Sequence, residues 1–144
     1  MLRATRARRA IRSGPRESFH TSGGDLELIH DALKAQGVRL EKILVTHGHL
    51  DHCGATAQLA KELSLPVEGP QVDDQFLIDD LPQHGHRYGL PPLHSFTPQR
   101  WLVGGDTVRF GEVELQVRHC PGHTPGHIIF FSPEYRLAMV GDRA

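Results

Sequence analysis

The stretch THGHLDH, residues 46–52, follows directly on the apolar run Ile43-Leu44-Val45. Three histidines and one aspartate fall within six positions. If a strand ends near Thr46, residues at i, i+2 and i+4 of the extended chain face one way. His47, His49 and Asp51 can then converge, and His52, at the turn into the next helix, can point back at the same spot. Gly48 and Gly54 leave room for a tight path. Histidine has no packing or propensity advantage that would cluster it so, and metal binding is the commonest physical reason for such a cluster. Imidazoles with a carboxylate suit zinc, iron or manganese. The short spacing gives one cation two ligands, His47 and His49. Asp51 and His52 point elsewhere, which suggests a second cation nearby.

A second window, HCPGHTPGH at 119–127, lies between two expected strands and carries His119, His123 and His127. Together the two windows hold six of the eleven histidines. A third piece, Val140-Gly141-Asp142, places an aspartate just past an apolar run, where it could bridge two cations. Each piece also has an ordinary reading. A lone loop histidine is usually solvated, and that is the reading of His20, His30, His84, His86 and His94. A lone aspartate at a strand end is usually a cap or turn residue. Three such pieces, each following a strand, argue for a site. Cys53 and Cys120 touch the motifs, but both read as small buried thiols.

The chain has 144 residues with 38% hydrophobic and 23% charged content, which fits one soluble globular domain with a modest core. A formal charge of -1 gives no bulk attraction to nucleic acid or to membranes, and no apolar run approaches the length of a span. Two cysteines make no disulfide framework and suit a reducing, cytoplasmic setting.

Residues 1–22 differ from the rest: six arginines face one acid, Glu17, with no apolar period. This stretch reads as a disordered basic tail. An organellar transit peptide is the less favoured reading. Out-of-frame, non-native sequence is a third. From Gly23 onward the pattern is that of a domain, 23–144. Leu26, Ile29 and Leu33, helped by Leu28 and Ala32, follow helical spacing from Gly24 or Asp25 to Gly37. Lys42 to Val45 reads as a buried strand, and Ala55 to Leu63 as a helix with Leu59, Ala60 and Leu63 inward. Pro66-Val67 begins a brief strand. A helical turn is expected around Asp73 to Leu81, with loop to residue 100. Thr107–Phe110 and Val113–Val117 alternate about a turn at Gly111-Glu112. Ile128–Phe131 and Leu137–Val140 read as buried strands.

THGHLDH, HCPGHTPGH and VGD, in this order, resemble the metallo-β-lactamase superfamily, and within it the glyoxalase II-like hydrolases. The surrounding ILVTHGHLDHCGATAQLA (43–60), QRWLVGGDTVRFG (99–111) and LQVRHCPGHTPGHIIFF (115–131) are similar to its compact bacterial branch. The resemblance implies an α/β fold, layered as an αββα sandwich, around two divalent metals, usually zinc and sometimes iron or manganese. It implies His47, His49 and His123 on metal 1, Asp51 and His52 on metal 2, and Asp142 bridging. His127 would support the site, and His119 matches no ligand position. The implied reaction is hydrolysis of a small-molecule, glutathione-derived hydroxyacyl thioester by a metal-activated hydroxide, with Asp51 as the catalytic group that orients it.

The sequence departs from that pattern at both ends. Of the phrase that precedes the first helix in the family, only Gly23-Gly24-Asp25 remains. Members continue past the bridging aspartate to a further histidine on metal 2. The expected sandwich is therefore incomplete at the C-terminus, and at the N-terminus too if residues 1–22 are non-native, and metal 2 lacks a ligand. Its last two strands are expected to lose partners and cover. Two alternatives follow from the same residues: a mononuclear-iron persulfide dioxygenase, and an inactive truncated metal-binding fragment.

Overall fold

The computed structural model describes residues 2–4, 25–37 and 40–142, without the side chains of 2–4, Asp25 and Leu28. Most of the 1–22 stretch, His20, Gly23-Gly24 and Arg143-Ala144 lie outside the described residues, as do the side chain of Leu28 and both Val38 and Arg39. Of the first 22 residues, strand β1 (Leu2–Ala4) is described, antiparallel to β2 (Leu40–Leu44).

Helix α1 (Asp25–Gln36) follows the expected spacing. Leu26 and Ile29 are buried and Leu33 packs beside them. Gly37, at φ 58°, ends the helix in the left-handed region that favours glycine. Strand β2 runs parallel to β3 (Val67–Glu68), and the connection between them carries α2 (Leu50–Cys53) and α3 (Thr56–Leu63). Alternation along β2 gives the sheet two faces. Ile43 and Val45 face a core built with Leu26, Ile29, Cys53, Leu59, Val67, Ile78 and Leu81 from the helices and β3. Leu44 faces the second sheet.

That second sheet is antiparallel, in the order β4 (Thr107–Phe110), β5 (Val113–His119), β6 (Ile128–Ser132), β7 (Leu137–Met139). Phe110 pairs with Val113 across the expected turn. Val108, Phe110, Val113, Leu115, Val117, Ile128, Phe130 and Met139 meet Leu44 and Leu102 in the core between the sheets. Thr107, Arg109, Glu114, Gln116 and Arg118 point outward and are exposed. The described residues thus build three layers, helices on sheet on sheet.

Five expectations are corrected. Leu137–Val140 is not a buried strand: β7 ends at Met139, and Ala138 and Val140 are exposed because the sheet edge leaves them uncovered among the described residues. Leu63 is 36% exposed, because the chain turns at Ser64 (φ 52°) and Leu65 packs inward in its place. Residues 82–87 are not loop: a turn at Val72–Asp74 leads into α4 (Gln75–Asp79), then α5 (Leu81–Arg87). Pro82 lies in the first turn of α5, where a helix has no use for its missing N–H. Strand β6 is not buried on both faces, since Ile129 and Phe131 are half-buried and the Arg118 guanidinium lies 4.8 Å from the Phe131 ring centre. Nor does β6 lack partners: it pairs with β5 and β7, and β7 is the edge of the sheet as described. Among the described residues, no helix is long and apolar enough to cross a membrane.

Candidate metal centre

Backbone bonds bring the two histidine windows together where the sheets meet. The Val45 N–H donates to Glu68 O at 3.0 Å, and the Ile128 N–H donates to Thr46 O at 2.9 Å. The end of β2 is thereby held between β3 and the start of β6. His47 leaves the strand fully buried. His49 precedes α2 in extended backbone, and α2 carries Asp51 and His52. The second window forms a loop closed by the Cys120 N–H on His127 O at 2.8 Å. Past β7, Gly141 takes φ 62°. A Cβ there would lie 2.7 Å from Thr46 Oγ1 and 3.0 Å from His127 Nε2, so only glycine lets the chain pass that close and aim Asp142 at the histidines.

The side chains gather in two groups that share one residue. Ligand atoms of His47, His49, His123 and Asp142 lie within 4.8 Å of one another, as do those of Asp51, His52 and Asp142. In the first, His49 Nδ1 is 3.0 Å from His123 Nε2, and Asp142 Oδ2 is 3.1 Å from His123 Nε2 and 3.8 Å from His47 Nε2. In the second, Asp142 Oδ1 is 3.1 Å from His52 Nε2, which is 3.4 Å from Asp51 Oδ2. Asp142 thus turns one oxygen to each group.

Burial holds the His47 imidazole far below its ordinary 6.5, to about 2, reinforced by His52, His127, His49 and His123. His49 is lowered by burial and then by His123, against the pull of Asp51, Asp74 and Asp142. His127 is lowered by burial and by His123. Neutral imidazoles offer lone pairs, which is what a cation needs. The fit to a cation rests on His47 Nε2, a buried nitrogen with no hydrogen-bond partner among the described residues. Its other nitrogen, Nδ1, is 3.0 Å from Thr46 Oγ1. With Nδ1–H donating to that hydroxyl, Nε2 presents its lone pair to Asp142 and the other imidazoles. Left without a partner, such an atom costs about 1–3 kcal/mol.

His127 is buried, with its ring centre 5.0 Å from that of His47. His119 is exposed and its Nε2 is 2.8 Å from Pro125 O, outside both groups. His30 pairs with Glu62 at 2.8 Å, His84 and His86 lie on α5, and His94 is exposed. The two thiols differ. Cys53 is buried, which pushes its thiol upward, but Cys120 is exposed because it follows β5 into the loop.

Sequence reading missed Asp74, a fully buried carboxylate between the two windows. Its Oδ2 accepts from the Gly48 N–H and the Thr124 hydroxyl, each at 2.8 Å, and its Oδ1 from the Gly126 N–H at 2.6 Å. A signal was there: Asp74, Ile78 and Leu81 are spaced i, i+4, i+7, and all three are fully buried.

Residues 19–142 match the family model described as "Metallo-beta-lactamase superfamily". Hydroxyacylglutathione hydrolase GloC of Haemophilus influenzae is 37% identical over 121 residues, covering 83% of this chain and 57% of that protein. A hydroxyacylglutathione hydrolase of Cereibacter sphaeroides is 38% identical over 111 residues, 77% of this chain and 36% of that one. Among solved structures, TTHA1623 in a di-iron-bound form superposes with a TM-score of 0.68 at 35% identity, over 78% of this chain and 54% of that chain. The B3 metallo-beta-lactamase BLEG-1 gives 0.67 at 27% identity, over 81% and 56%. The chain therefore spans between 36% and 57% of the length of these relatives.

Proposed function

This chain belongs to the metallo-beta-lactamase superfamily, and on that premise we propose that it carries a two-metal hydrolytic centre of the glyoxalase II type. The observation that carries the reading is Asp142, which offers Oδ2 to one group of ligand atoms and Oδ1 to the other. His47, His49, His123 and Asp142 would hold the first cation; Asp51, His52 and Asp142 would hold the second. Zinc, iron and manganese all accept such donors, and a di-iron relative supports two cations. Cations bound there would supply Lewis acidity, bringing water to a nucleophilic state near neutral pH and polarising a carbonyl.

The chain's own residues supply the rest. The buried His47 and the Thr46 hydroxyl fix one imidazole lone pair. Asp51, with its side chain 47% exposed, stands at the open side of the second group and orients the attacking water. Water adds to the carbonyl carbon, the C–S bond breaks, and the thiol leaves with a proton. A hydroxyacyl-glutathione thioester is the substrate class, supported by the names of the relatives. We place the protein in the cytoplasm, without membrane or nucleic-acid partners, which two free cysteines suit.

Metal content and turnover of S-lactoylglutathione test this on the 144-residue chain. Two cations per chain with thioester hydrolysis is the expected result. One iron with oxygen uptake on a persulfide would replace it with the dioxygenase reading, and metal binding without turnover would leave a metal-binding domain.

A further inference from the structure

Asp74 belongs to neither ligand group, yet its hydrogen bonds interleave with both histidine windows. Gly48 lies between His47 and His49, Thr124 follows His123, and Gly126 precedes His127. The carboxylate comes from a third element, the turn at Val72–Asp74. The second window is docked on that turn through a second bond as well, the Gln71 N–H on Gly126 O at 3.2 Å. A Cβ at residue 126 would lie 2.5 Å from Gln71 O and 2.6 Å from Asp74 N, so glycine is what allows the close approach. A buried carboxylate is costly unless its oxygens are bonded. Here both oxygens are bonded, and no ion pair of Asp74 is found among the described residues.

We propose that Asp74 is a positioning residue for the metal centre, holding the two histidine loops at the separation that His49 and His123 need to share one cation. It acts through two loop N–H groups and the Thr124 hydroxyl, not on a ring nitrogen. The usual carboxylate that supports a ligand histidine bonds to the ring itself. The inference rests on the metal reading of the site.

Asp74→Asn keeps the shape and removes one acceptor. Its amide NH2 must face at least one of the Gly48 and Gly126 N–H groups, donor against donor. Thr124→Val removes a single donor and leaves the carboxylate. Zinc affinity is measured by chelator competition on wild type and both variants, with the visible spectrum of cobalt-loaded protein and the far-UV circular dichroism. The expected result is zinc binding 10–100-fold weaker in Asp74→Asn, with an altered cobalt spectrum and wild-type secondary structure. Thr124→Val should lose less. Wild-type affinity and cobalt spectrum in both variants would overturn the role of Asp74 while leaving the metal centre standing. A wild-type chain that takes up no zinc would overturn both.

Discussion

Asp142 Oδ1 lies 3.1 Å from Nε2 of His52, a residue ninety positions earlier in the chain. The same carboxylate reaches His123 with its other oxygen. One side chain therefore joins the two ligand groups. Asp142→Ala should lower metal stoichiometry and reduce thioester hydrolysis by at least about 100-fold, since even residues behind the ligands are worth 10–100-fold. Metal analysis with steady-state rates checks this, and an active variant with full metal content would remove Asp142 from the centre.

The two histidines of the second window should behave differently. His123 faces Asp142 and His49, whereas His119 is exposed and bonds the Pro125 carbonyl. His123→Ala should lose the first cation. His119→Ala should keep both the metal and the rate within about twofold, because exposed sites away from special features tolerate change. Equal loss in both variants would contradict the assignment.

Metal-free protein should lose stability as the pH falls below about 6.5. The sign follows from His47, which burial holds at about 2 in the folded state. Between that value and 6.5 the unfolded chain binds a proton that the folded chain excludes, so stability rises with pH and is fully present above 6.5. The slope is up to about 1.4 kcal/mol per pH unit for this one group. Denaturant unfolding at pH 7.5 and 5.5, with metal removed, measures it. Equal stability at the two values would mean that His47 is not held neutral.

Gly141→Ala should displace Asp142. The added carbon would meet Thr46 Oγ1 and His127 Nε2, at a φ of 62° that alanine resists. A loss of about 1–3 kcal/mol is expected, with weaker metal retention. Thermal melting and metal analysis would show it, and wild-type values in both would mean that the turn has slack.

The gathering of His47, His49, Asp51 and His52 was legible from their close spacing ahead of a helix, although the strand ends earlier than expected, at Leu44; the place of His123 and Asp142 beside them came from the family resemblance. The alternation of Val113, Leu115 and Val117 likewise revealed the strand that carries the second window. What escaped was decided by distant packing. Leu63 has inward spacing, but Ser64 turns the chain before it can use it. Asp74 reads as one acid among several in VDDQFLIDD, and its role depends on Gly48, Thr124 and Gly126, all at least 26 residues away. Cys120 reads as a small buried thiol, yet the end of β5 carries it to the surface.

A two-cation centre with Asp142 shared can be counted by zinc titration of the metal-free chain, followed by calorimetry. Two equivalents are expected, the first bound more tightly by four side chains and the second more weakly by three, with the second lost in His52→Ala. A single equivalent unaffected by His52→Ala, or none at all, would contradict it.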